Sequence, residues 1–238
     1  MAQEIRRHFH EELRVLERRV LEMGDATQRQ IAAAIETLSG DDAEASEAVV
    51  SGDDLIDAFY LEVEQRILDL FALQTPVASD LRLLTSLLHI DLHLERVGDM
   101  AVNIAKLARL TQGFPRDPTV IQHLEEMGAV ALKMLAAALD AFARRDVELC
   151  QRLPTMDDPI DRLNRGMLNQ ILRLADDRRL LEWGIRMHVV SRQIERVGDH
   201  AVDIGEQVAF LVTGEFREFT DASHPEIESS ERQDVSSE

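Results

Sequence analysis

The sequence predicts an all-α protein built as two tandem three-helix bundles with a disordered acidic tail. Three observations lead there. Apolar residues recur at three- and four-residue steps over runs of about thirty residues. The segment Glu95-Arg-Val-Gly-Asp-Met-Ala-Val-Asn-Ile-Ala105 returns as Glu195-Arg-Val-Gly-Asp-His-Ala-Val-Asp-Ile-Gly205, identical at eight of eleven positions. Between the copies lies the strongest cluster of helix breakers, Gln112-Gly-Phe-Pro-Arg-Asp-Pro118.

The first helix is marked by Ile5, Phe9, Leu13, Leu16, Val20 and Met23, a narrow stripe near heptad spacing that Ile31, Ile35 and Leu38 resume. It covers about residues 3 to 39, and Ser39-Gly40-Asp41-Asp42 ends it with a glycine followed by capping aspartates. A short helix over 42–50 is expected next, broken at Ser51-Gly52. From Asp53 the stripe restarts with Leu55, Ile56, Phe59, Tyr60, Val63, Ile67, Leu68 and Phe71. A turn at Gln74-Thr75 precedes Pro76, suited to a first helical turn, and a third long helix runs to about Leu110. The pattern then repeats. A long helix covers about 119–144, with Leu124, Met127, Met134, Leu135, Ala138 and Phe142 on its inner face. A short helix over 146–153 is stopped by Pro154, a second begins near Asp158-Pro159, and a third runs over about 179–212. The first bundle is thus assigned to residues 1–112 and the second to 118–213. The remainder, 214–238, is assigned as a disordered tail, because the stretch from Glu215 holds eight acids against Arg217 and Arg232 and is poor in apolar residues.

Composition narrows the function. Hydrophobic residues make up 45% and aromatics only 4%, so the core must rest on aliphatic and methionine side chains. A net charge of −19 leaves no basic surplus to neutralise phosphates and argues against nucleic acid. The same charge suits binding of cations or of a basic partner. The single Cys150 fits a reducing compartment. The charged N-terminus contains no signal-peptide core, and no run approaches the ~18 apolar residues of a membrane span. A soluble, cytoplasmic protein is expected.

The chemistry concentrates on carboxylates. Glu95, Asp99 and Asn103 fall at i, i+4 and i+8, as do Glu195, Asp199 and Asp203. On a helix each set is one stripe, with ~6 Å between successive members. Gly98 and Gly198 sit inside the stripes, where glycine costs roughly 1 kcal/mol against alanine. Close approach of a backbone or a bulky bound species would explain both. The preceding helices carry Asp53-x-x-x-Asp57 and Asp157-x-x-x-Asp161. In an antiparallel hairpin turning near Pro76, Asp53 and Asp57 stand level with Glu95 and Asp99. The second half, turning near Arg178, matches in the same way. N-capping alone would account for the Asp53 and Asp157 pairs, and a solvated face bridged by Arg96 and Arg196 for the stripes. The level-matching in two copies favours metal, since four crowded carboxylates need a compensating cation. All-oxygen donors suit Mg²⁺, Ca²⁺, Mn²⁺ or iron. The histidines His89, His93, His188 and His200 read as ordinary helix residues, and Trp183 as a packing anchor.

These residues resemble the PhoU family, the phosphate-uptake regulators that accompany the phosphate-specific ABC transporter. The resemblance spans about residues 3 to 213. It rests on the tandem bundles, on Thr75-Pro-Val-Ala-Ser-Asp-Leu-Arg82, and on the two Glu-Arg-Val-Gly-Asp segments. It implies metal-binding motifs with Asp53, Asp57, Glu95 and Asp99 in one centre and Asp157, Asp161, Glu195 and Asp199 in the other. Asn103 and Asp203 are implied as additional ligands. The implied metal is a divalent or trivalent ion: iron, manganese, magnesium or zinc. The second half has Asp177-Arg-Arg-Leu-Leu-Glu-Trp183 in place of the Pro-Val-Ala-Ser-Asp-Leu-Arg segment, so equal roles for the two bundles are not expected. The resemblance further implies a non-enzymatic, cytoplasmic negative regulator of phosphate uptake and phosphate-starvation signalling. Its partners would be the ATPase component of the transporter and a sensor histidine kinase, with membrane contact only through them, and it would act as a homodimer.

The alternative is a helical carboxylate-bridged metalloprotein with an enzymatic or storage role. Di-iron proteins of that kind take Glu-x-x-His motifs from two helices, and no such pair occurs here at matching levels.

Overall fold

Four aspartates set where helices begin. In the computed structural model, Asp42, Asp117, Asp146 and Asp177 hold extended backbone and accept hydrogen bonds from N–H groups two or three residues on. They start α2 (Ala43–Leu73), α4 (Pro118–Arg144), α5 (Val147–Leu172) and α6 (Arg178–Thr213). A cap of this kind contributes about 1 kcal/mol. Two further helices, α1 (Ala2–Glu36) and α3 (Ser79–Leu110), complete the fold. Residues 2–74 and 76–219 are described, and among them all regular structure is helical.

The two middle helices are continuous, contrary to the breaks expected at Ser51-Gly52 and Pro154. In α2 the Ser51 hydroxyl donates to the Glu47 carbonyl at 2.9 Å. Buried Val49 and Ile56 on either side hold the helix against its neighbours. In α5, Pro154 and Pro159 each remove an intrahelical bond. Leu153 nevertheless seats against α6, where a Cβ on Gly205 would lie 2.5 Å from its Cδ1. Ile160 is fully buried one face-repeat later. Packing on both sides of each breaker outweighs local preference. Asp53 and Asp157 are therefore helix-interior residues and cap nothing; Asp42 and Asp146 do that. The third helix starts at Ser79, not at Pro76.

Within each half the three helices pack on one another, and α3 with α6 and α1 with α4 join the halves. The assigned bundles therefore share one continuous core that runs from Leu13 and Leu16 through Ile90 and Ile194 to Trp183. His93 lies opposite His200 and Ser86 opposite Gln207, whose carbonyl accepts from the Ser86 hydroxyl at 3.2 Å. Seven residues back along α3 match seven forward along α6, so the central helices are antiparallel.

The chain also folds beyond α6. Gly214 closes the helix in the left-handed conformation, and the Phe219 N–H donates to buried Glu206 Oε1 at 2.6 Å. Phe219 packs on the core. The assigned tail therefore contributes at its start, while 220–238 lies outside the described residues.

Two glycines seat α1 against α4. Leu139 of α4 fills the space a Cβ would take at Gly24, 2.7 Å away, and Ile35 of α1 does the same at Gly128. Ile35 Cδ1 could turn away by χ2, but its Cγ1 and Cγ2, 3.0 and 3.2 Å from that Cβ, are held by the nearly fixed χ1 of a β-branched residue in a helix. Gly128→Ala should therefore destabilise the protein by on the order of 1 kcal/mol. The overpacking penalty of ~1–3 kcal/mol exceeds the ~1 kcal/mol gained in helix propensity. Urea unfolding checks this, and Gly52→Ala, where a Cβ meets nothing within 4 Å, should shift the other way.

Candidate metal centres

Gly98 and Gly198 of the repeated segment are each covered by an aspartate from the neighbouring helix. A Cβ on Gly98 would stand 3.1 Å from Asp53 Oδ1, and one on Gly198 only 2.5 Å from Asp157 Oδ1. Ile56 and Ile160 close the contact from the core side at 3.2 and 3.3 Å. The sequence leads one to expect a backbone or a bound species at these glycines; the close approach is instead made by a side-chain carboxylate, in both halves.

In the first half, Asp53 and Asp57 of α2 meet Glu95 and Asp99 of α3. Burial pushes the Asp53 carboxyl upward, opposed by a hydrogen bond from Gln30 Nε2 at 3.2 Å, while Asp57 and Asp99 add like charge. Glu95 is raised chiefly by burial, then by Asp99, with Asp57 and Asp53 also contributing. All four carboxylates therefore share one field. Asp57 is exposed, the other three are half-buried, and Asn103 lies exposed beyond them. Arg96 reaches Glu95 Oε2 at 3.5 Å and Asp99 Oδ2 at 3.2 Å. It is itself exposed, a setting in which an ion pair contributes ~0–1 kcal/mol.

The second half repeats the arrangement with different supports. Glu195 is raised first by burial and feels Asp161, while Arg192 at 2.6 Å and Asn164 Nδ2 at 3.2 Å bond its Oε1. The Asp199 carboxyl, at the open edge of the cleft, is pushed up to about 6. Burial by the surrounding walls is the main cause, then Glu195 and Asp203. Asp157, Asp199 and Asp203 line one cleft of about 360 Å³ with Pro154, Glu206 and Phe219. Arg165 approaches Asp161 at 3.7 Å.

The donor chemistry suits a hard cation, although among the described residues neither set brings three donor atoms within 4.8 Å of one another, as His93, His200 and Asp203 do. All first-choice donors are carboxylate oxygens, and Glu95 Oε2 and Glu195 Oε2 are buried without a hydrogen-bond partner. Raised carboxyls mark places where negative charge is undercompensated. Asp53, Asp57, Glu95 and Asp99 would hold one ion or cluster, and Asp157, Asp161, Glu195 and Asp199 another.

Several participants escaped the sequence reading. Asp91, one turn before Glu95, is fully buried with neither oxygen hydrogen-bonded. Burial, then Glu64 and Glu95, push its carboxyl up to about 8. Its place on the same i, i+4 stripe was the available signal; the second half has Ser191, bonded to Asn164 Oδ1 at 3.0 Å. Histidines 93 and 200 are not ordinary helix residues. Their Nδ1 atoms lie 3.0 Å apart across α3 and α6, and burial holds the His93 imidazole down at about 4.

Asp91 makes metal-free stability depend on pH. Its folded-state pKa lies above its unfolded value, so the stability it contributes is complete below about pH 4 and is lost as pH rises through about 8. In chelator, Asp91→Asn should raise Tm by at least ~3 °C at pH 9, with the two melting curves converging near pH 4. Thermal melts across that range check it. Gly198→Ala should disturb its cleft more than Gly98→Ala disturbs the other, since its Cβ would meet Asp157 at the shorter distance. Comparative melts of the two variants measure this.

Comparison with known proteins places the fold in a family. The family model described as the PhoU domain matches twice, at residues 20–108 and 124–208. A phosphate-specific transport system accessory protein PhoU homolog of Clostridium acetobutylicum is 30% identical, over 88% of this chain and 96% of its own. A protein of the same description from Caulobacter vibrioides is 32% identical, over 90% and 94%. The crystal structure of PhoU from Pseudomonas aeruginosa superposes with a TM-score of 0.82 at 30% identity, covering 87% of this chain and all of that one. The regulatory protein PhoU of Streptococcus pneumoniae gives 0.79 at 28% identity. With the family model matched in both halves, over most of the chain, the chain belongs to the PhoU family.

Proposed function

We propose that this protein is a metal-binding regulator of phosphate uptake, restraining the phosphate-specific transport system when phosphate is plentiful. The observation that carries this reading is the pair of matched four-carboxylate groups, each with an aspartate lodged against a helix glycine. The relatives' description as accessory proteins of phosphate transport supplies the pathway. The regulator acts without chemistry of its own: it docks on the ATPase component of the ABC transporter and on a sensor histidine kinase. Both contacts lie on the cytoplasmic side, and the membrane is reached only through them.

Bound cations would serve two ends. They neutralise clefts that otherwise hold at least four carboxyl groups, and they join the middle helix of each bundle to its last. Metal occupancy thereby sets how rigidly α2 is held to α3 and α5 to α6. Exposed Leu61 and Leu68, one heptad apart on the outer side of α2, support a homodimer, in which such a stripe is covered by a copy of itself.

A deletion strain grown in abundant phosphate tests the regulatory role. Alkaline phosphatase and phosphate uptake should both rise to starvation levels, and wild-type protein should restore repression. Asp99→Asn combined with Asp199→Asn should restore it poorly while keeping helical content by circular dichroism. Unchanged repression and uptake in the deletion strain would overturn the reading.

A further inference from the structure

The central helices bring together a second kind of donor group, two imidazoles from different bundles with Asp203 from the rim of the second carboxylate centre. His93 Nδ1 of α3, His200 Nδ1 of α6 and Asp203 Oδ2 of α6 form a triangle with sides of 3.0, 3.4 and 3.5 Å. The imidazoles are tilted at 48° with centroids 5.2 Å apart, so they meet by their edges and do not stack. Their side chains are only 18% and 16% exposed, whereas Asp203 is 42% exposed and opens the group to solvent.

We propose that His93, His200 and Asp203 form a third metal site, for a divalent first-row transition ion, at the junction of the two bundles. A point equidistant from the three atoms lies about 1.9 Å from each, given those sides. Bonds of ~2.0–2.2 Å to imidazole nitrogen and carboxylate oxygen put the ion about 0.6–1.1 Å out of their plane. Two imidazoles and one carboxylate on one side of an ion, with its other positions open, is the facial arrangement of several iron(II) and zinc proteins. The donor chemistry differs from that of the two clefts. Mixed nitrogen and oxygen donors favour zinc, iron(II) or cobalt(II), while oxygen-only clefts favour magnesium, calcium or manganese.

Among the described residues the site occurs once, for a reason visible in the repeat. In the antiparallel register of α3 and α6, the position symmetric to the His93–His200 contact pairs Gln193 with Met100, and the counterpart of Asp203 is Asn103. None of these three offers an imidazole or a carboxylate. The ion would therefore tie one bundle to the other, whereas each carboxylate cleft ties helices within a bundle. Asp203 lines the second cleft beside Asp199, so its carboxylate stands between the two.

The test uses full-length protein stripped with chelator and returned to millimolar Mg²⁺, which fills the oxygen-only clefts. Zn²⁺ is then titrated by calorimetry. Wild type should bind one tight equivalent. His93→Gln and His200→Met, which install the residues of the other half, should each weaken that equivalent by at least ~100-fold, since even outer-shell partners contribute 10–100-fold. A measurement without variants accompanies it: in imidazole ¹H–¹⁵N spectra, Zn²⁺ should shift the Nδ1 signals of two histidines only. Absence of a tight equivalent, its survival in both variants, or unshifted imidazole nitrogens would show that the histidines share only a proton.

Discussion

The fold's most consequential contact is an aspartate carboxylate lying on the backbone of the next helix at a glycine. Asp53 does this at Gly98 and Asp157 at Gly198. The contact draws the middle and last helices of each bundle to a distance that a side chain at the glycine would prevent. It also carries a charged group into a half-buried setting, where Ile56 and Ile160 limit its hydration. Helix geometry adds the rest of each cleft: a second aspartate one turn along on the middle helix, and a Glu and Asp one turn apart on the last. A glycine within a stable helix, which is locally unfavourable, is thereby explained twice by the same packing.

The two clefts are alike in their carboxylates and unlike in what surrounds them. In the first, Asp91 lies buried beneath Glu95 and Gln30 bonds Asp53. In the second, Ser191 and Asn164 replace that buried acid with a hydrogen-bonded pair, and Asn164 also donates to Glu195. A buried acid with no hydrogen-bond partner is held neutral below about pH 8, so it adds to the first centre's demand for charge compensation only above that. The second cleft is bordered by Phe219 and Glu206, where the chain folds back after α6. The halves are therefore two versions of one design, joined through the antiparallel contact of α3 with α6.

Much of this was legible in the sequence because it is periodic. The heptad-like stripes, the breaker cluster around Pro115 and the repeated segment are local or translational signals, and they led to six helices in two sets of three. Level-matching across a hairpin placed Asp53 with Asp99 and Asp161 with Asp199, and the charges of Asp99 and Asp161 help to raise the facing Asp53 and Asp199 carboxyls. What escaped was tertiary. Gly52, Pro154 and Pro159 look like breaks, yet helices continue through them because Val49, Ile56, Leu153 and Ile160 are buried on either side. The meeting of His93 and His200 has no trace in either repeat taken alone, since the partners come from different halves and their counterparts are Gln193 and Met100. Asp91 could be read from its spacing to Glu95, but Ser191 breaks the repetition that drew attention to the other acids.

Metal stoichiometry tests the account most directly. Chelator-stripped protein is equilibrated with Mn²⁺ by dialysis, and the bound metal is counted for wild type and for Asp99→Asn combined with Asp199→Asn. The account predicts about two or more ions per wild-type chain, one for each oxygen-donor cleft, and loss of most of them in the double variant. Fewer than about 0.2 ions per wild-type chain at concentrations that saturate ordinary all-oxygen sites, or equal binding by both proteins, would contradict it.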